Sequence, residues 1–402
     1  MTYDVSTLRA RFPALRAGTA HFDGPGGTQT PAPVIAAYAE ALSRPLSIRG
    51  GALPGEIHAE TLVRDFRAAM ADLLGADPSG IVFGRSSTQL TYDISRTLAK
   101  GWAPGDEVVV SRLDHDANIR PWLQAAERAG AVVRWAEFDP ATGELPAESV
   151  GALLTERTRL VAVTGASNLI GTRPDVAAIA ELVHRAGALL YVDGVHLTAH
   201  EFVDVERLGA DFFVCSPYKF FGPHHGVLSA RPELLRTLDP DKLVPSSDAV
   251  PERFELGTLP YEMLAATRAA VDFIAGLGDD GATATGRRDR LRSAFAAIDA
   301  HETALREGAE KALGELGAVT VHSRAAERTP TLLLSFENRD ASDAYRFLAR
   351  SGVHAPAGSF YALEASRHLG LGDEGGLRVG LSPYNDTDDV ERLVKGLSDF
   401  LR

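Results

Sequence analysis

Between about Thr61 and Phe221 the chain alternates short apolar runs with amphipathic helical patterns, and this alternation limits the possible folds more than any other feature. The apolar runs are GIVFG, DEVVVSR, AVVRWAEF, RLVAVTGAS, GALLYVD and DFFVCS. Between them lie helical patterns such as PWLQAAERAG and DVAAIAELVHRAG, each ending at a glycine suited to a helix C-cap. Helices of about 10–15 residues between strands carry the chain back across the sheet, so the pattern predicts an α/β fold with a mainly parallel sheet covered on both faces.

A second region begins after FELGTLPYEMLAATRAAVDFIAGLG. There the small-residue and acidic stretch DDGATATG precedes a long helical pattern from about Arg287 to Leu316. The periodicity then changes to strand, helix, strand (TPTLLLSFEN, SDAYRFLARSG, GGLRVGLSPYN) and closes with the helix DTDDVERLVKGLSDFLR. We expect a large domain over residues 21–282 and a smaller α/β domain formed by residues 1–20 and 283–402.

With 402 residues, 45% of them hydrophobic, the chain can bury a large core. Its formal charge of -13 and the lack of a Lys/Arg cluster argue against nucleic acid or an anionic membrane as partner. The lone cysteine, Cys215, excludes an internal disulfide or a zinc site of several thiolates and fits a reducing compartment. MTYDVSTLRARFPAL lacks the apolar stretch of a signal peptide, and no run of about 18 apolar residues follows, so a cytoplasmic location is expected.

In an open parallel sheet, ligands bind beyond the carboxyl ends of the strands, so the residues that follow each run matter most. After DFFVCS comes Lys219, one of only five lysines. Lys100, Lys242, Lys311 and Lys395 lie in surface-like contexts, whereas an amine behind a buried strand loses solvation and reaches its neutral, nucleophilic form more easily. A snorkelling lysine at a strand end is the alternative. After IVFG comes RSSTQ, whose helix-opening amides and hydroxyls suit a phosphate or form a plain N-cap. After EVVVSRL comes His115 in DHDAN, placed to lie over a flat ligand or to remain a solvated loop residue. Asn168 follows RLVAVTGAS and either donates to a ligand or caps a turn. Asp193 ends GALLYV, with His196 three residues on; an aspartate there is costly unless a cation or strong donor meets it.

One cofactor accounts for all of these. Pyridoxal 5'-phosphate takes a lysine for its aldehyde, a carboxylate for its ring nitrogen, a stacking group, a donor near its phenolic oxygen, and hydroxyls and amides for its phosphate.

These residues resemble the class V aminotransferase superfamily, in its cysteine desulfurase-like branch, over nearly the whole chain. The most specific segment runs from YVDGVH through CSPYKFFGP. The resemblance implies a fold-type-I PLP-dependent transferase with a seven-stranded type of sheet, Lys219 as the Schiff-base lysine and Asp193 as the partner of the pyridine nitrogen. It also implies His115 as the stacking residue, Asn168 beside the phenolic oxygen, and Ser87, Thr88 and Ser216 around the phosphate. His196 falls where the desulfurases carry a glutamine. RFELGT resembles the segment that lends a Gly-Thr pair, here Gly257 and Thr258, to a second subunit, which implies a homodimer with a shared site. Arg378 in LRVGLSPYN matches the arginine that clamps a substrate carboxylate; without that match it reads as a strand-end surface arginine. HFDGPGGTQTP resembles the family's N-terminal loop, where paired glycines let backbone approach a ligand.

One part of the pattern departs. The family's desulfurases carry a persulfide-forming cysteine on a mobile loop, and the matching stretch here, SGVHAPAGSFYA, has Ala355 near that position. Cys215, on an apolar strand, reads as an inert packing thiol. The expected activity is therefore C–S bond cleavage of cysteine or a cysteine S-conjugate by β-elimination, with no sulfur relay. The alternatives are epimerisation, amino transfer or decarboxylating deamination of another amino acid. A non-catalytic binding protein is a third class, against which both Lys219 and Asp193 weigh.

Overall fold

The structure is a computed structural model that describes residues 3–278 and 286–402. Six strands of the main sheet coincide with the apolar runs read from the sequence: β1 (Ile81–Gly84), β2 (Glu107–Ser111), β3 (Val132–Ala136), β4 (Thr158–Thr164), β5 (Leu189–Asp193) and β6 (Phe212–Cys215). A seventh, β7 (Gly226–Ala230), completes the order β1-β7-β6-β5-β4-β2-β3. Strand β7 is antiparallel to both of its neighbours, and the remaining pairs are parallel. Only ten residues separate β6 from β7. That is too short for the crossover a parallel return requires, so the chain doubles back, and Lys219 rides on the turn.

Strand residues alternate between two apolar layers, as a sheet covered on both faces requires. Val109, Val161, Val163, Leu190, Val192, Phe213 and Cys215 enter one layer. Val108, Val110, Leu160, Ala162, Tyr191, Phe212 and Val214 enter the other, with Leu90, Ile94 and Trp122 of the covering helices Ser87–Ala99 and Arg120–Ala129. Each such side chain removed from water contributes roughly 1.5–3 kcal/mol before entropy is counted. As the sequence pattern predicts, the helix Arg120–Ala129 stops at Gly130, whose φ of 69° is left-handed.

A smaller antiparallel sheet holds Ala357–Gly358, Gly376–Gly380, Thr331–Phe336 and Val319–Val321, in that order. Its core gathers Leu332, Leu334, Leu377, Val379 and Leu397 with Ala20 and Phe22, while Leu8, Phe12 and Leu15 of the N-terminal segment pack into the first layer of the main sheet. The expected domain boundary at 282/283 lies outside the described residues. Among the described residues, no helix is long and apolar enough to cross a membrane.

Candidate active site

A cavity of about 680 Å³ opens beyond the carboxyl ends of the parallel strands, where such sheets bind ligands. Ser87, Thr88, His115, Asn168, Asp193, His196, Lys219 and Arg378 all line it. Residues read one by one from separate strand ends thus meet in one place.

Lys219 ends the short 3-10 turn Pro217–Lys219 and is only 8% exposed. Burial, with Arg378 second, pushes its amine down to about 7, against the upward pull of Asp23 and Asp193. The snorkelling alternative fails, because the Nζ points inward: it donates to the carbonyl of Pro25 and lies 4.6 Å from the centre of the Tyr218 ring.

Asp193 closes β5 and is 7% exposed. Burial pushes its carboxyl up to about 6, with the Val195 N–H, donating at 2.9 Å, and Lys219 pulling the other way. Gly194, directly after it, is packed against the Phe213 ring so closely that a Cβ would collide with it. The aspartate is therefore held at the strand end by a chain that tolerates no side chain at the next position.

His115 accepts the Ala117 N–H on Nδ1 at 3.0 Å. Burial, then Lys219 and Arg378, bring its imidazole down to about 4, so near pH 7 it is a neutral ring rather than a cation. One neighbour is the Tyr361 ring, 5.5 Å away and near parallel. The solvated-loop alternative for His115 does not hold.

Ser86 is the N-cap of the helix Ser87–Ala99, accepting the Gln89 N–H at 3.0 Å. The N-cap reading of RSSTQ holds for Ser86, while Ser87 and Thr88 open the helix on the cavity. Gly226 of β7 lets this corner pass, since a Cβ there would meet the Ser86 and Ser87 backbone.

Arg378 departs from the surface arginine that local sequence allowed. It lies on the strand Gly376–Gly380 and is 2% exposed. Its Nη2 donates to Asp23 at 2.6 Å and its Nη1 to the Asn168 carbonyl at 3.1 Å, and its guanidinium carbon stands 3.7 Å from the centre of the Phe360 ring. Asn168 itself donates through Nδ2 to the Phe360 carbonyl at 3.0 Å. His196 meets the hydroxyls of Thr329 and Thr331 at 2.9 and 3.0 Å through Nε2.

Ser216, Gly257 and Thr258 stand apart from this set and do not line the cavity. Ser216 is buried just before the Lys219 turn, while Gly257 and Thr258 are exposed, with Gly257 at a left-handed φ of 81°. Ala355 is fully buried among the smaller core's side chains. Cys215 is sealed in the main core, and burial raises its thiol far above the ordinary range.

The set of polar atoms, donors and acceptors, fits the cofactor read from the sequence. His196 Nδ1, Asn168 Oδ1, Arg378 Nε and Ser216 Oγ are buried with no hydrogen-bond partner among the described residues, which is costly unless a ligand or water meets them. Three of those residues line the cavity together with Lys219, Asp193 and the helix start. Such a set satisfies a planar, anionic ligand with a ring nitrogen, a phenolic oxygen and a phosphate. Asp23, Tyr218, Phe360 and Tyr361 also line the cavity. All four sat inside motifs singled out in the sequence (HFDGPGGTQTP, CSPYKFFGP and SGVHAPAGSFYA) without an individual role, and a lone acid in a glycine-rich loop was the available signal for Asp23.

A family model described as aminotransferase class-V matches residues 20–393. The chain is similar over its whole length to an uncharacterized protein of Mycobacterium tuberculosis, 33% identical and covered over 100% of both chains. A cysteine desulfurase of Dickeya dadantii is 30% identical over 98% of this chain and 96% of its own. Among solved structures, the cysteine desulfurase CsdA of Escherichia coli superposes with a TM-score of 0.87 at 26% identity, over 100% of this chain and 99% of that one.

Proposed function

Given that the chain belongs to the aminotransferase class-V family and is a cysteine desulfurase-like, PLP-dependent enzyme, we propose that it cleaves the C–S bond of a cysteine S-conjugate, or of cysteine itself, by β-elimination. The observation that carries this reading is the reach of the cavity. Tyr92, Arg120, Pro121, Gln124 and Tyr361 line it as well as the residues suited to the cofactor, and its volume of about 680 Å³ leaves room for a substituent on sulfur. The chain's one thiol, Cys215, is buried away from that space, so the leaving sulfur departs as a free thiolate, or as sulfide from cysteine itself, rather than onto an enzyme thiol.

In this reading Lys219 holds the cofactor aldehyde, Asp193 the ring nitrogen, His115 the ring face, and Ser87 and Thr88 the phosphate, with Ser216, which lies outside the cavity lining, a third hydroxyl assigned by the resemblance alone. Asn168 and His196 serve the phenolic oxygen. When bound, pyridoxal 5'-phosphate supplies an electron sink for the bonds of the substrate's α-carbon. Arg378 binds the substrate carboxylate. Lys219, whose amine burial brings down to about 7 so that a large share of it is unprotonated near pH 7, takes the α-proton. The electron pair left on carbon expels the sulfur from the β-carbon as a thiolate, or as a sulfenate from a sulfoxide, and the remaining fragment hydrolyses to pyruvate and ammonia. Asp193, burdened by burial when alone, becomes a stabilised carboxylate once a ring N–H faces it.

The same reading makes the enzyme a homodimer. Gly257 and Thr258 are exposed beside apolar Leu256, with Ile48, Leu53 and Ile57 also exposed, and the preceding Glu252 and Glu255 are anchored by Arg67 at 2.6 and 2.8 Å. A loop so held at its base suits donation of Gly257 and Thr258 to a neighbour's phosphate.

The test is an absorbance scan of the purified protein, then addition of L-cysteine, a cysteine S-conjugate and L-alanine, with pyruvate, sulfide and thiol assayed. Pyruvate released from the sulfur compounds alone is expected. A spectral change without pyruvate would instead assign epimerisation, amino transfer or decarboxylation. No visible cofactor band would overturn the reading.

A further inference from the structure

Arg378 is enclosed on three sides before any ligand arrives. Asp23 accepts from Nη2, the Asn168 carbonyl accepts from Nη1, and the Phe360 ring lies against the guanidinium plane. The Nε is left without a partner among the described residues. A guanidinium with two nitrogens and one face already committed has lost most of its freedom to swing, so its remaining donors are held in a fixed orientation.

The two protein groups that complete this enclosure are themselves held firmly. Asp23 is bridged to Gly380, two residues from Arg378, and Phe22 accepts the Gly380 N–H at 2.7 Å, so the carboxylate is tied to the strand that carries its partner. Phe360 sits at a left-handed φ of 51°, followed by Tyr361 at 59°. That conformation is costly for a bulky side chain and persists only where the surroundings impose it. Here Asn168 Nδ2 grips the Phe360 carbonyl at 3.0 Å and the Asp116 N–H grips the Tyr361 carbonyl at 2.7 Å. The strain puts the Phe360 ring under the arginine.

We propose that Asp23 and Phe360 are positioning residues that aim Arg378 at the carboxylate of an α-amino acid substrate. This rests on the proposed function, in which Arg378 binds that carboxylate. Asp23 supplies the counter-charge that lets a guanidinium 2% exposed remain buried and ordered. Phe360 supplies the flat surface that sets the plane of the fork. The substrate carboxylate then joins an arginine whose geometry is already set, rather than displacing Asp23 from it.

The experiment compares L-alanine with ethylamine, which differ by the carboxylate alone, as ligands of the cofactor-loaded enzyme, using the visible absorbance change to measure each dissociation constant. In Asp23→Asn and Phe360→Leu the preference for alanine is expected to fall by about ten-fold or more while ethylamine binding stays as in wild type. Asp23→Glu should restore part of the preference. A preference unchanged in both variants would overturn the proposal, and so would a rise in Asp23→Asn, which would make Asp23 a competitor of the substrate. Phe360→Leu alters no charge and reads the same ratio should Asp23→Asn load poorly. If wild type shows no cofactor band or no preference for alanine, the proposed function fails first, which keeps the two failures distinct.

Discussion

Replacing Lys219 by methionine in the cofactor-free protein should raise its stability by an amount that depends on pH. Burial and Arg378 hold the amine down to about 7, against an ordinary value of 10.5. At about 1.36 kcal/mol for each pKa unit, the gap between those values disfavours the charged amine by roughly 4 to 5 kcal/mol. Below pH 7 the amine is protonated in both the folded and the unfolded chain, and the whole penalty weighs on the fold. Between pH 7 and 10.5 the unfolded chain keeps a proton that the folded chain has shed, so wild-type stability rises with pH. Methionine is of similar length and carries no charge, so it removes the penalty throughout. The variant should therefore exceed wild type most at and below pH 7, and the two should converge toward pH 10.5. Asp193 offsets part of the gain, because it loses the pull of Lys219 and its carboxyl, already up at about 6, climbs further. Urea denaturation midpoints of both apo-proteins across this range give the comparison. A gap independent of pH, or one that widens as pH rises, would refute a Lys219 kept neutral by its surroundings.

Borohydride reduction of the loaded enzyme should fix the cofactor to wild type and leave Lys219→Ala unlabelled, as mass spectrometry of the digested protein would show. Asp193→Ala should still take up cofactor, seen by absorbance, while turnover falls by about 100-fold or more, the scale of a lost proton-handling group. Cys215→Ala should leave pyruvate formation within about two-fold of wild type and lower the denaturation midpoint through a small cavity costing about 1 kcal/mol. Thr258→Asp places an anion where the proposed dimer brings a phosphate, so cofactor affinity should fall by about ten-fold or more.

The six apolar runs became strands because period and burial agree within each run, and the polar residues at their ends reached the cavity because a parallel sheet gathers its carboxyl ends on one side. Lys219, Asp193, His115 and Asn168 were legible for that reason. Strand β7 was not among the runs: GVLSA follows the FFGPHH turn directly, and its antiparallel direction depends on the length of the connection before it. Arg378 read locally as a surface residue, because nothing near LRVG in the chain announces that Asp23, Asn168 and Phe360 will close around it.

What the residues alone settle is what depends on near neighbours: the alternation of strand and helix, the caps, and which side chain follows each strand. Period and turn chemistry act over a few residues, and so can be read from them. The folded molecule decides the rest. Asp23 and Arg378 are 355 positions apart, yet they lie 2.6 Å from each other because the N-terminal segment bridges to Gly380 at Asp23. The amine of Lys219 falls to about 7 only once the closed core excludes water and Arg378 arrives from the smaller sheet. Burial and long-range charge exist only after packing, so the chemistry of the site belongs to the tertiary structure even where its residues were evident beforehand.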